Sequence, residues 1–189
     1  MWWVELLNSI VSVLDSGGAG GGGGAYESIA TATPTGVSTI TFSSIPSTYV
    51  SLQVRISAVF SSAGNGISIR PNASSATNYT RHRLSGDGAS VSADGTATGS
   101  LTGADVFAHK VGGSTTQPAV VIIDLHNYAS STQNKTIRSI AGVDKNGSGE
   151  INLMSSLWNQ TTAVSSLQVY SGTNFATGTS ISLYGIKGA

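Results

Sequence analysis

The chain has 189 residues, which is enough for one domain with a substantial hydrophobic core but short for two. Its nine basic and nine acidic residues cancel, and only 10% of the chain is charged. This composition predicts a surface of hydroxyl and amide groups and gives no basic footprint for nucleic-acid binding. The absence of cysteine excludes disulfides and thiolate metal sites.

Residues 1–16 are predicted to form an amphipathic helix. Trp3, Leu7, Ile10 and Leu14 recur at helical spacing. The segment lacks the basic start of a signal peptide, and a bilayer-spanning helix needs roughly 20 residues, so we expect it to be retained without membrane insertion. A helix this short must bury its apolar side to persist, and we expect it to anchor the chain on a partner. The candidate anchor residues are Trp2, Trp3, Leu6, Leu7, Ile10 and Leu14.

Residues 17–25 contain only glycine and alanine and are predicted to be a flexible linker. A coil of this length has a root-mean-square reach of roughly 15–18 Å and no fixed direction. The helix and the following domain can therefore occupy different surroundings.

Residues 26–189 change to alternating apolar and polar positions separated by turns rich in Gly, Asn, Ser and Asp, a pattern typical of β-strands. The clearest strand is "YVSLQVRISAVF", and similar alternation occurs in "TITFSSI", "GISIRP", "SLQVYS" and "SISLYGI". About ten strands and no second helix are predicted. The expected fold is all-β, an antiparallel β-sandwich of jelly-roll type.

Two stretches of this domain depart from simple alternation. "AVVIIDL" is apolar on both faces, which predicts a central strand covered on both sides, one of them by a neighbouring subunit. Residues 85–105 are rich in glycine and poor in apolar side chains, so we expect a long loop or a poorly paired hairpin at the rim.

The sequence nominates no catalytic site. The histidines, His82, His109 and His126, belong to separate predicted strands and form no metal-binding motif. His82, Ser85 and Asp87 are close in sequence, but a strand end followed by an Asp-Gly turn explains them better than a hydrolase triad. We expect a protein that is not an enzyme and has no cofactor and no metal.

One turn has partial metal-binding character. In "DKNGSGEIN", Asp144, Asn146 and Ser148 occupy the first, third and fifth places of a calcium loop, but Ser155 stands where the loop needs a bidentate acid. An ordinary hairpin turn over residues 144–150 is the preferred interpretation, and weak calcium binding is the alternative.

The strand sequences together resemble a known family. "YESIATATPTGVSTITFSSIPSTYVSLQVRI", "NYTRHRLSGDG", "IIDLHNYASSTQNKTIRSI", "AVSSLQVYS" and "ISLYGIKG" are similar to small virion structural proteins of tailed bacteriophages, many from aquatic and cyanobacterial phages. The resemblance covers Tyr26 to Gly188, and residues 1–25 lie outside it. It implies a location on the exterior of a phage particle and brings no catalytic motif.

The resemblance implies a tail or neck fibre protein, docked through its N-terminal helix and displaying the sandwich outward for host attachment. The expected partners are other virion proteins of the tail, neck or capsid, with a homotrimer as the expected assembly and neither nucleic acid nor membrane as a partner. A capsid decoration protein is one alternative. Another is an adhesin for host polysaccharide, with Tyr79, Trp158 and Tyr170 stacking on sugar rings, and a hydrolase of that polysaccharide is a fourth hypothesis. A helix folded back on its own sandwich would remove the anchor.

Overall fold

The computed structural model describes residues 24–63, 66–107 and 114–188. These residues form twelve β-strands and no helix. In chain order the strands are β1 (Tyr26–Ala32), β2 (Thr39–Phe42), β3 (Ser51–Ala58), β4 (Ile67–Pro71), β5 (Tyr79–Gly86), β6 (Val91–Leu101), β7 (Ala104–Phe107), β8 (Ala119–His126), β9 (Lys135–Asp144), β10 (Gly149–Trp158), β11 (Leu167–Ser171) and β12 (Ser180–Ile186). The predicted all-β class is therefore confirmed, with twelve strands in place of about ten.

The strands form two sheets in which neighbouring strands are antiparallel. The larger sheet has eight strands in the order β1-β12-β3-β8-β9-β10-β5-β6, and the smaller has four in the order β2-β11-β4-β7. Every paired strand runs against its neighbour. This arrangement is consistent with a β-sandwich.

Alternate residues of both sheets enclose one hydrophobic core. Leu52, Val54 and Ile56 of β3 are buried, and Ile67 and Ile69 of β4 face them from the smaller sheet. Because successive side chains of a strand point to opposite faces, the predicted inward residues of "YVSLQVRISAVF" end up in this core. The exception is Val50, which precedes β3 and is exposed.

The stretch 85–105 contains a strand that the sequence pattern did not predict. β6 pairs with β5 and forms the edge of the larger sheet, with a register irregularity between Tyr79 and Arg81. Most of its side chains are exposed, so it needs no apolar alternation. Backbone hydrogen bonds to β5 define this strand, which corrects the expectation of a long loop and agrees with a hairpin at the rim.

Charged side chains join the two sheets beside the β5–β6 edge. Arg81 donates from Nη1 to Oδ2 of Asp105 on β7 at 2.6 Å and from Nη2 to Oδ1 of Asp94 on β6 at 3.2 Å. Arg83 also pairs with Asp94, and Ser68 of β4 donates to Asp105 at 2.7 Å. The two arginines that stand closest in the sequence are thus engaged inside the protein's own ion pairs.

Candidate interaction surface

The outward side of the larger sheet exposes large apolar side chains. On β8, Val121 and Ile123 point into the core, whereas Val120 and Ile122 point to solvent. The same side carries further exposed aliphatic residues on the next four strands of the sheet, β9, β10, β5 and β6. We name this set the outer apolar surface; its members are Leu84, Val91, Val120, Ile122, Ile140, Ile151 and Leu153.

Strand register gathers these side chains into two adjacent rows. Directly paired residues of antiparallel strands point to the same face, so a row of partners crosses the sheet at right angles to the strands. The first row runs Ile122, Ile140, Leu153, Leu84, Ala93. The second runs Val120, Gly142, Ile151, Gly86, Val91. Five strands at about 4.8 Å spacing make each row about 19 Å long, with about 7 Å between rows.

The exposure of these residues is substantial. Val91 is 77% exposed, Ile151 59%, Leu153 53% and Ile140 51%. Single exposed aliphatic residues are ordinary on protein surfaces, but contiguous apolar patches mark sites of interaction. The prediction that "AVVIIDL" is covered on both faces is confirmed for the inner face, where Val121 and Ile123 are buried. The outer face, with Val120 and Ile122, is exposed in the single chain.

Charged groups border the first row. Arg138 of β9 has a side chain that is 60% exposed, and its nearest described carboxylate contact is Asp124 of β8 at 3.7 Å. Gln53 of β3 donates to Asp124 at 2.9 Å. Beyond the second row, Asp144 closes β9 and is exposed. The outward face of β9 thus carries, in order, the cation Arg138, one residue of each apolar row, Ile140 and Gly142, and the anion Asp144.

An aromatic cluster forms the border toward β1. The guanidinium of Arg55 lies 5.0 Å from the ring centroids of both Tyr26 and Tyr184. The two rings meet edge to face at 6.5 Å, and Arg55 donates to Gln53 at 2.8 Å. On β3, Arg55 pairs with Ile122 and Ser57 pairs with Val120, so both apolar rows end at β8.

The predicted anchor residues Trp2, Trp3, Leu6, Leu7, Ile10 and Leu14 lie outside the described residues, as does His109. The predicted anchor helix and most of the linker therefore remain predictions. The described chain begins at Gly24, next to edge strand β1.

The residues considered for a hydrolase triad are kept apart by the strand geometry. His82 lies on the outward face of β5, whereas Ser85 is buried on the inward face and its hydroxyl lies 2.9 Å from that of Ser92. Asp87 is in the following turn, where its Oδ1 accepts the amides of Ala89 and Ser90. The strand-end-and-turn interpretation of "HRLSGDGAS" is therefore the correct one.

The aromatic residues considered for sugar stacking all make contacts within the chain. Tyr79 and Trp158 are buried and stack on each other with ring centroids 6.5 Å apart. Burial raises the pKa of the Tyr79 phenol to about 12, and its hydroxyl donates to the Ser74 carbonyl at 2.9 Å. Tyr170 is covered by Arg70, whose guanidinium lies 4.0 Å from the ring centroid. Tyr79 and Trp158 therefore serve internal packing, whereas Tyr170 is half-buried.

The 144–150 segment connects β9 and β10 through a hairpin turn whose two central residues are Asn146 and Gly147. Asn146 and Gly147 have φ angles of 57° and 105°, as a type I′ turn requires, and the Lys145 amide donates to Ser148 O at 2.7 Å. Asp144 Oδ1 accepts the Asn146 amide at 2.8 Å. This is the preferred interpretation of the motif.

Gly147→Ala should lower the free energy of unfolding by about 1–2 kcal/mol, because alanine is strained at this positive φ. Urea denaturation measures the change. Calcium should leave the midpoint of the parent protein and of the variant unshifted. A calcium-dependent rise in the parent that Gly147→Ala abolishes would favour the metal-loop alternative.

Among the described residues, no group of three His, Cys, Asp or Glu side chains is placed to hold a metal ion. No helix long and apolar enough to cross a bilayer occurs in that part of the chain. No family model matches the sequence, and no curated protein matches it significantly.

Two kinds of information about the outer apolar surface were already in the sequence. The strand containing Val120 and Ile122 is apolar on both faces, and this pattern predicted that another protein surface covers its outer face. The outward positions of Ile140, Leu153 and Leu84 also follow from alternation in their strands. Only the strand order and register place them side by side, so sequence reasoning missed the continuous surface.

Proposed function

We propose that this chain is a structural component of a tailed-phage virion, in a tail or neck appendage on the particle exterior. The observation that carries the proposal is the outer apolar surface, because a module built to assemble with other protein surfaces needs such a face. The segment from Tyr26 to Gly188 resembles small virion structural proteins, and for this reason we propose that the assembly is a phage particle. We also propose the jelly-roll type for the sandwich, as the strand pattern of the sequence predicts.

The N-terminal segment is the proposed attachment to the particle. Its apolar residues, with Trp2 and Trp3 as binding anchors, dock on another virion protein, and the glycine linker separates the docked segment from the β-domain. A three-helix bundle formed by these segments in a homotrimer is the alternative use of the same residues.

Deleting residues 1–16 is expected to leave a folded β-domain that no longer joins phage particles. The described strands and their core are built from Tyr26 onward, so the deletion removes the proposed anchor and none of the residues that form that core. Circular dichroism and thermal unfolding measure folding, and immunoblots of purified particles measure incorporation. The full-length chain is the control.

Two outcomes would contradict the anchor. Normal incorporation of the truncated chain would show that attachment uses another surface. Loss of folding would show that the segment packs on its own β-domain.

Gold-labelled antibody against the β-domain tests the location on particles that carry the full chain. A few labels around the tail axis or neck are the expected result. Labels spread over the head lattice would identify a capsid decoration protein, because decoration proteins occur in many copies on the capsid. Complete absence of the chain from purified particles would overturn the virion proposal.

A further inference from the structure

The two rows of the outer apolar surface are complementary to each other in size. The first row has Ile140 where the second has Gly142, and Leu84 where the second has Gly86. On β6 the order reverses, with Ala93 in the first row and Val91 in the second. In three of the five strands a large side chain therefore stands beside a small one on the same face.

A two-fold axis would place these rows against each other. The axis we consider lies between two stacked sheets and runs across the strands, level with Val121, Ala141 and Asn152, which pair in one inward-facing row. It reverses strand direction but leaves each strand opposite its own copy. The first row of one copy then faces the second row of the other, so Ile140 meets Gly142, Leu84 meets Gly86 and Ala93 meets Val91.

The glycines leave space for the opposing side chains. At Gly86 an added Cβ would find its nearest neighbour 3.8 Å away, and at Gly142 the nearest is 3.5 Å away, both ordinary contact distances. Neither position is filled from within its own chain. A side chain from a facing copy can therefore occupy each of them.

The charges obey the same symmetry. Arg138 and Asp144 lie on the outward face of β9, three residues before and three residues after Ala141. Under the two-fold operation, Arg138 of each copy faces Asp144 of the other, giving two opposite-charge pairs that flank the apolar centre. Opposite charges at the margins of an interface fix orientation and disfavour wrong registers.

The size of the surface suits a pair of copies. Five strands and the four rows from Arg138 to Asp144 cover roughly 20 Å by 20 Å between Cα positions, and the side chains extend this to roughly 600 Å². Stable interfaces bury on the order of 800 Å² per partner, so the face supplies most of such an interface. A sheet face also packs well against another sheet face, at about 10 Å separation.

We propose that two copies of this chain pack the outer apolar surface of one against that of the other about a two-fold axis. The inference does not rest on the proposed virion function, since it concerns the purified chain alone. Pairing of the β-domains is also compatible with separate docking of the N-terminal segments.

Cross-linking between single-cysteine variants tests the geometry, because the chain has no cysteine of its own. Arg138→Cys and Asp144→Cys proteins are mixed and treated with a short bis-maleimide reagent. The mixture should give a covalent dimer, in which the other Arg138–Asp144 pair remains intact. Each variant alone should give little product, because its two cysteines lie about 20 Å apart across the axis.

The outcomes separate the two-fold arrangement from others. Failure of the mixture to cross-link, or equal cross-linking of either variant alone, would overturn the arrangement. Neither result bears on whether the chain occurs in phage particles, which is measured on particles by antibody labelling.

A substitution in the centre of the surface tests self-association independently. Leu153→Lys places a charge on a residue that is 53% exposed, so the fold tolerates it, but the two-fold contact would bury it opposite Ile151. Light scattering should show half the mass of the parent assembly. Val50→Lys is the matched control, at 54% exposure and outside the surface, and should keep the parent mass.

Circular dichroism confirms that both lysine variants are folded. An unchanged mass for folded Leu153→Lys would contradict self-association through this face, as would a parent chain that is monomeric at high concentration. If Leu153→Lys does not fold, the cysteine mixture still decides the question.

Discussion

Replacing Lys135 by methionine is expected to lower the free energy of unfolding by about 3–4 kcal/mol, a drop of about 10 °C in the melting temperature. Lys135 is fully buried, although lysine is among the residues least often found inside proteins. Its ammonium donates to the carbonyls of Ser130 at 2.7 Å, Gln133 at 2.6 Å and Thr161 at 3.1 Å. Methionine keeps the apolar stem but leaves these three acceptors without their donor.

The geometry explains why a lysine suits this position. An ammonium has three protons and no acceptor, and three carbonyl oxygens satisfy it. Ser130 and Gln133 belong to the β8–β9 connection, whereas Thr161 belongs to the β10–β11 connection. One side chain thus joins two loops at the same end of the sheets, where Asn134 Nδ2 also donates to Asn159 Oδ1 at 2.8 Å.

Urea unfolding of Lys135→Met beside Lys187→Met measures the effect. Lys187 is the matched control because it is exposed and its ion pair with Glu27, at 2.8 Å, lies at the surface. Solvent screens surface ion pairs and they contribute little to stability, so the control should stay close to the parent protein. Equal, small effects of both substitutions would show that the three carbonyl contacts do not stabilise the fold.

The same lysine gives a pH dependence whose sign is defined. Burial lowers the pKa of the Lys135 ammonium below its ordinary value of 10.5. Between the folded and the unfolded pKa the unfolded chain holds more protons, so this contribution to stability rises with pH there and is constant below the folded pKa. The stability of the parent minus that of Lys135→Met should therefore increase with pH toward 10.5.

The subtraction removes an opposing effect of tyrosine. Burial raises the pKa of Tyr79 from 10.0 to about 12, so above pH 10 the unfolded chain loses this proton first and stability falls. Both proteins share that change. A flat difference profile would show that Lys135 has the same pKa in the folded and unfolded states.

Sequence alternation predicted the strands that carry the core, because one buried face imposes a period of two on their side chains. β3 and β4 show this, with Leu52, Val54, Ile67 and Ile69 all in the core. β6 has no such constraint. Its exposed Ser, Thr, Asp and Gly residues are typical of a loop, and the sequence therefore predicted one. The segment is a strand because its backbone pairs with β5.

The parts of the candidate site that were missed depend on contacts between distant segments. Ile140 and Leu84 are separated by 56 positions in the chain. In the sheet, Leu153 lies between them and pairs with both. No local pattern contains that information. Lys135 was missed for a related reason, since a lysine is expected at the surface unless distant loops surround it with acceptors.

Gly185→Val is expected to destabilise the protein by about 3 kcal/mol, because the ring of Tyr49 already occupies the space that the valine side chain would need. Gly185 lies on the inward face of β12, in line with the buried Ile181 and Leu183. A Cβ built there would lie 2.4 Å from two ring atoms of Tyr49 and 2.5 Å from a third. Any side chain at Gly185 must therefore displace that ring, and overpacking alone costs about 1–3 kcal/mol.

Displacing Tyr49 would disturb more than its own contacts. The ring packs against the core, and the Tyr49 amide donates to the hydroxyl oxygen of Tyr128 at 3.3 Å. The Tyr128 hydroxyl in turn donates to the carbonyl of Pro46. The glycine of the terminal "LYGIKG" motif is thus part of the packing of the connection between β2 and β3.

A double-mutant cycle with Tyr49→Ala separates a clash with this ring from a general intolerance of valine in β12. Tyr49→Ala alone should destabilise by leaving a cavity over Gly185. If the ring is the obstacle, Gly185→Val should cost far less in the Tyr49→Ala background, where the valine fills the vacated space, and the coupling energy should reach about 2 kcal/mol. Additive effects would place the strain in the β12 backbone. The cycle therefore decides whether this strand requires glycine for its own conformation or because Tyr49 occupies the space above it.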